Sequence, residues 1–238
     1  MRRFFGIGAI LLVLLLVPVC LLADANRDAY EKGKTMESYK QAADAAGKAL
    51  EAKPDDYETA WKAARDCRYY ADEAKKKNAP NWKATCKEYG KLGMKYGEKA
   101  IALKPNGIEG NFWYGTSVGT YSDGVSILTA LKEGLKDKTQ SSFEKSYQIN
   151  KMYWDGGPIK ALGRFWFVLP WPMQDKGKSM KYLTEYQKLF PNDPEGQVYL
   201  GELLLKKGDK EQAKDVLQKA SASSDKYYAD WAKRLLAE

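Results

Sequence analysis

The stretch from Pro194 to Lys226, PEGQVYLGELLLKKGDKEQAKDVLQKASASSDK, constrains the fold more than any other part of this 238-residue chain. Apolar and small residues recur at helical spacing on both sides of Lys207-Gly208-Asp209, so the segment reads as two amphipathic helices joined by a tight glycine turn. Leu200, Leu204 and Leu217 are placed to fill the space between them, and Gly201, Ala213 and Ala220 to let them approach. One such pair cannot bury its apolar face alone, so it predicts stacked neighbours of the same kind.

The neighbours are visible upstream. A second helix ending in proline recurs as KALEAKP (Lys48 to Pro54), KAIALKP (Lys99 to Pro105) and YQKLFP (Tyr186 to Pro191). Proline there stops the helix because the residue before it is pushed out of helical geometry. The small residue of each first helix falls at Ala64, Gly115, Gly163 and Gly201, spaced by 51, 48 and 38 residues. Against a repeat of about 34 residues these spacings imply insertions that shrink along the chain. The units read as 26–54 (mostly a second helix), 55–105, 106–153, 154–191 and 192–225, with 226–238 as a capping helix that carries Tyr227, Trp231 and Leu235 on one face. In the fourth unit, Gly156-Gly157-Pro158 enters the first helix, and LPWPMQDKG is an expanded turn. No convincing period-2 segment is present, so the expectation is an all-α solenoid in a single domain, 26–238.

The Leu-Gly pairs at Leu162-Gly163 and Leu200-Gly201, with Ala213, Leu217 and Ala220, resemble the tetratricopeptide repeat (TPR). The wider layout, including KAIALKPNGIEGNFWYG (Lys99 to Gly115) and GGP leading into ALGRFWF, resembles the exported TPR proteins associated with TRAP-type solute transporters. That resemblance implies a helical scaffold pairing with a periplasmic solute-binding protein. It also implies that certain first-helix positions line a concave groove: Trp61, Arg65, Arg68 and Tyr69 from the second unit, and Phe112, Thr116 and Thr120 from the third. The fourth unit would add Lys160, Arg164 and Phe167, and the fifth Glu195, Glu202 and Lys206. Mixed cationic and aromatic groups of this kind suit a carboxylate-bearing ligand or an acidic peptide end. The alternative is that the arginines pair with neighbouring carboxylates such as Asp66 and Glu109. The aromatics divide in the same way, between a ligand surface and the core between repeats.

The N-terminus, MRRFFGIGAILLVLLLVPVCLLADAN, has two arginines, an apolar run from Phe4 to Ala23 and small residues at Ala23 and Ala25. It reads as an export signal, 1–25, cleaved after Ala25. An uncleaved anchor, or acylation at Cys20 without the usual small residue before it, is the alternative. Export to the periplasm follows, with membrane association through the N-terminus where the signal is retained. The net charge of +8 is spread along amphipathic segments, and cleavage leaves +7. No basic-aromatic stripe of the length nucleic acid needs is present.

The chain has no histidine, which excludes imidazole-activated nucleophiles and imidazole metal sites. With two cysteines after cleavage, Cys67 and Cys86, a structural zinc site is not expected, and no cofactor is implied. The two cysteines lie on either side of a helical hairpin near Asn78 to Pro80, where a disulfide could staple it or both could be buried as free thiols. Gly177-Lys178-Ser179 lacks the glycine five residues earlier that a phosphate loop needs, since position 172 is proline. Asp155 and Asp175 are the best carboxylate pair for hydrolysis, against capping and turn roles for each. The expectation is a non-catalytic scaffold that binds a protein partner through its groove. The alternative is a direct binder of a small apolar or anionic ligand.

Overall fold

The computed structural model describes Arg27 and residues 30–238. The export signal at 1–25 lies outside the described residues. The chain is all-α, with helices α1 (Met36–Ala52), α2 (Tyr57–Lys76), α3 (Trp82–Leu103), α4 (Ile108–Gly124) and the short α5 (Ile127–Lys132). These are followed by α6 (Leu135–Asn150), α7 (Tyr153–Val168), α8 (Lys176–Leu189), α9 (Pro194–Lys207), α10 (Lys210–Ser221) and α11 (Lys226–Leu236). Antiparallel pairs α2–α3, α4–α6, α7–α8 and α9–α10 stack in order, with α1 before them and α11 after.

Local chemistry sets the boundaries. The Asp56, Asp175, Asp193 and Asp225 side chains accept backbone N–H bonds at the starts of α2, α8, α9 and α11, satisfying donors that have no partner inside the helix. Gly208 ends α9 at φ 91°, a left-handed cap that glycine adopts without strain. Within each pair the small residue does what its spacing predicts. A Cβ on Gly163 would come within 2.6 Å of Leu183, and one on Gly201 within 2.5 Å of Leu217.

The insertions take three forms. In the second unit the extra length is in the helices themselves, 20 residues in α2 and 22 in α3. In the third it builds α5, and in the fourth it forms the turn between α7 and α8. Trp154, Asp155 and Gly156 take left-handed φ values of 51°, 56° and 69° and kink α7, so its regular part begins at Gly157 with Pro158 in the first turn, as the sequence predicts.

Cys67 on α2 and Cys86 on α3 are buried in one cluster with Ala43, Ala71 and Tyr89. No bond joins them, and both are free thiols. The Cys86 thiol donates to the Ala71 carbonyl at 3.5 Å, and burial pushes its pKa up to about 12.

Candidate functional site

The first helices α2, α4, α7 and α9 face inward, and the space between them is closed by α11 and by Arg27 from the N-terminal segment. The result is a cavity of about 390 Å³, within the usual size of a small-molecule site. One wall is apolar, built by Leu131, Leu135 and Phe143 from α5 and α6 and by Phe165, Val168 and Leu169 at the end of α7. Gly119 on α4 also lines it, and a Cβ there would meet nothing within 4 Å. Tyr227, Tyr228 and Trp231 of α11 close it from the C-terminal side.

The aromatic part of the lining is held by the kink in α7. Left-handed geometry at a tryptophan is strained, and here it turns Trp154 inward. Its indole packs edge-on against Trp113 at 5.1 Å and donates to the Tyr69 hydroxyl at 2.7 Å. The Tyr69 hydroxyl in turn donates to Glu31 at 2.7 Å. Gly156 has a reason to be glycine beyond its φ, because a Cβ would fall 2.4 Å from the Phe190 ring.

The polar part of the lining is a set of paired charges. Six cationic side chains, Arg27, Arg68, Lys75, Lys136, Lys160 and Arg164, line the cavity against three carboxylates, Asp72, Asp123 and Glu195. Lys160, only 8% exposed, reaches Glu195 at 2.6 Å and Asp193 at 3.4 Å. Arg68 pairs with Asp72 at 3.6 Å, and Arg164 with Glu202 at 2.6 Å. The Arg164 guanidinium also lies over the rings of Tyr199 at 4.6 Å and Trp231 at 5.4 Å. Burial pushes the Glu195 carboxyl upward, but Lys160, Lys76, Arg27 and Arg68 outweigh it and hold the group well below the usual carboxylate range. Burial likewise opposes the Asp72 charge, and Arg68 and Lys76 overcome it. For Lys160 burial opposes the ammonium, and Asp193 and Glu195 hold its pKa above the ordinary value. These charges are therefore fixed across the neutral range.

Of the residues placed in the groove from sequence, Arg68, Tyr69, Phe112, Thr116, Thr120, Lys160, Arg164 and Glu195 line the cavity together. Trp61 and Arg65 do not. The Arg65 guanidinium stacks on Tyr30 at 3.8 Å and pairs with Asp66 at 2.8 Å, and Trp61 packs beside it. The N-terminal segment covers the position the groove would have had there. Phe167 is also a correction, since its ring is buried in the core between α7, α9 and α11. Glu202 takes part only through Arg164, and Lys206, in the last turn of α9, does not line the cavity. Glu109 accepts from the Tyr57 hydroxyl at 2.7 Å rather than pairing with an arginine.

Asp155 and Asp175 sit at opposite ends of α7. About 12 residues of helix separate them, roughly 18 Å at 1.5 Å per residue, which is too far for paired-carboxylate hydrolysis. Among the described residues no group of three or more Cys, Asp or Glu side chains could hold a metal ion.

The sequence profile of the regulator of microtubule dynamics protein 1-3 family matches residues 23–167, more than half of the chain. The chain belongs to this family. The family match ends at Phe167, one residue before the end of α7, so the second helix of the fourth unit, the fifth unit and the cap lie beyond it. Around that core the solenoid is TPR-like. The crystal structure of TTC0263, a thermophilic TPR protein of Thermus thermophilus, superposes with a TM-score of 0.59 over 84% of this chain and 92% of that one, at 18% identity. Yeast Tom70 overlaps with a TM-score of only 0.37, at 12% identity over 85% of this chain and 59% of its own. No curated protein matches the chain. None of these matches is to a TRAP-associated protein.

The lining residues that sequence spacing missed include Arg27, Trp154, Tyr199, Tyr228, Trp231 and the apolar wall of α5 and α6. Trp154 had a signal, the Gly-Gly pair after it, which marks a backbone that departs from the helix. Tyr199 and the α6 residues lie on repeat helices but at positions the groove register does not count, whereas Arg27, α5 and the α11 residues lie outside the repeated helix pairs.

Proposed function

We infer that the chain is a non-catalytic TPR-like scaffold whose cavity binds a small organic anion with an apolar body. The observation that carries this reading is the cavity itself: a partly open space of about 390 Å³ with one apolar wall, lined by six cationic and three anionic side chains. Guanidinium and ammonium groups already held in place by Glu195, Asp72 and Glu202 meet an anionic group with little reorganisation, which favours binding. The apolar body would lie against Leu135, Phe143 and Phe165. Export through the segment 1–25 belongs to the same proposal and would put the scaffold in the periplasm.

A second reading is a protein partner, favoured by the TPR-like fold, whose helix pairs usually present a surface to other proteins. The name of the family, regulator of microtubule dynamics, describes an activity of that general kind. A periplasmic solute-binding protein is the partner suggested by the resemblance to TRAP-associated proteins. Because Arg27 and α11 close the concave face, a protein partner would engage its rim or the outer helices rather than Lys160 or Arg68.

Native mass spectrometry of the purified protein, followed by solvent extraction, separates the two. A retained small molecule of stoichiometric amount supports the cavity reading. An empty cavity that also fails to take up 1,8-anilinonaphthalene sulfonate, an apolar aromatic anion, leaves the protein-partner reading.

A further inference from the structure

The connections that follow α2, α4, α7 and α9 share one edge of the solenoid. Lys75 at the end of α2 reaches Asp123 at the end of α4 at 2.6 Å. Leu131 of α5 packs in one cluster with Leu169, just past α7. Lys176, in the first turn of α8, donates to the Lys206 carbonyl at the end of α9 at 3.1 Å. This edge carries the two most exposed large apolar side chains among the described residues, Trp171 at 88% and Leu128 at 58%, and Met173 is exposed beside Trp171.

The turn that presents Trp171 is fixed rather than loose. The N–H groups of Met173 and Gln174 both donate to the Pro170 carbonyl, Asp175 N–H donates to the Trp166 carbonyl, and the Gln174 amide donates to the Phe167 carbonyl at 2.6 Å. An aromatic ring held out in water by a rigid turn loses little entropy when it inserts elsewhere.

Lysines surround it. Lys132 is one helical turn past Leu128, Lys176 and Lys178 follow Trp171, and Lys206, Lys207 and Lys210 flank the next turn, all exposed. Most carboxylates of the edge are engaged: Asp123 by Lys75, Glu133 by the Tyr121 hydroxyl, Asp137 by Lys136, and Asp175 by the backbone of α8 and by Lys178 at 3.8 Å; Glu211, beside Lys210, is exposed. Asp209 lies 4.0 Å from Lys207. No carboxylate among the described residues pairs with Lys132, Lys176, Lys206 or Lys210.

We propose that this edge docks on an anionic lipid bilayer, with Trp171 at the depth of the headgroups, Leu128 and Met173 beside it, and the lysines against lipid phosphates. Tryptophan concentrates at the membrane–water interface, where its ring is half in each phase. Lysines near an anionic leaflet add attraction that falls off within a Debye length. A protein partner fits less well, because protein interfaces are depleted in lysine and gather their apolar residues into one patch. A second copy of the chain would bring like charges together. The docking is peripheral, as no helix among the described residues is long and apolar enough to cross a membrane.

The test uses the full chain with vesicles of phosphatidylcholine carrying brominated acyl chains, with and without phosphatidylglycerol. Bromine quenches tryptophan that enters the bilayer. The expected result is quenching only with phosphatidylglycerol, most of it lost in Trp171→Ala, and weakened by roughly fivefold or more in Lys132→Glu/Lys206→Glu, the scale expected for lysines near an anionic surface. Both variants change exposed side chains, and circular dichroism confirms that they keep their helix content. Equal quenching in neutral vesicles, or quenching unchanged in Trp171→Ala, overturns the proposal. So does a dimer in analytical ultracentrifugation without lipid that Trp171→Ala abolishes, which would make a second copy the occupant.

Discussion

The Trp154 indole N–H and the Tyr69 hydroxyl, 85 residues apart in sequence, meet at 2.7 Å on the inner face of the solenoid. The bond exists because three successive left-handed residues turn Trp154 out of the α7 spiral. It ties the second unit to the fourth across the cavity. Trp154→Phe removes the donor and keeps most of the ring, so it should cost about 1 kcal/mol. Trp154→Ala removes the packing on Trp113 as well and should cost about 3–5 kcal/mol. Urea denaturation of both variants measures the two values, and equal losses would mean that the hydrogen bond carries the effect.

Glycine at the repeat's close-approach position is tested by contrast with Gly119. Gly163→Ala puts a methyl 2.6 Å from Leu183, and the overpacking should destabilise by about 1–3 kcal/mol. Gly119→Ala meets open space in a helix interior and should be neutral or stabilising by about 0.5–1 kcal/mol. The same denaturation experiment reads both.

Acid sensitivity follows from the buried carboxylates. Glu195 and Asp72 have folded pKa values below their ordinary ones, so the stability they contribute is present above the ordinary carboxylate pKa and lost as pH falls through the folded value. With no histidine in the chain, no side chain with an ordinary pKa in the neutral range titrates there. Thermal melting should therefore show a plateau between about pH 6 and 8 and a fall below about pH 4.5. Glu195→Gln should lower the plateau, because Lys160 loses its partner, and should make the acid limb shallower. An acid limb of unchanged slope would contradict the assignment.

The repeat was legible in the sequence because its signals are local: the proline endings at Pro54, Pro105 and Pro191 each fall just past a helix, and Gly163 and Gly201 each meet a leucine of the paired helix. Six of the nine principal groove positions reach the cavity for the same reason. Trp61 and Arg65 do not, because the N-terminal segment brings Tyr30 onto them, and a repeat register says nothing about a segment outside the repeat. Phe167 failed for a different reason, since near the end of α7 the helix turns that position toward α9 and α11. For Trp154 the Gly-Gly pair after it marks a departure from the helix, but its inward direction depends on left-handed backbone at two non-glycine residues, which the repeat register does not announce.

The thiols offer a chemical check on the hairpin. Cys67 and Cys86 are buried and free, and burial raises both pKa values, so few thiolates exist at neutral pH. Ellman's reagent should react slowly or not at all with the folded protein, and then with both cysteines once guanidinium chloride is added. Absence of both thiols from unfolded, unreduced protein purified from an oxidising compartment would show that the hairpin is stapled instead.

Gly119→Leu tests the cavity most directly, since a Cβ at this lining position meets nothing within 4 Å and the longer side chain occupies the cavity without removing any charged group. Fluorescence titration with 1,8-anilinonaphthalene sulfonate should give saturable binding to the wild type at one site per chain, and affinity reduced by about tenfold or more in the variant, equivalent to about 1.4 kcal/mol. The variant's melting temperature should stay at or above that of the wild type. Unchanged affinity in a folded Gly119→Leu protein would contradict the assignment of the concave cavity as the binding site.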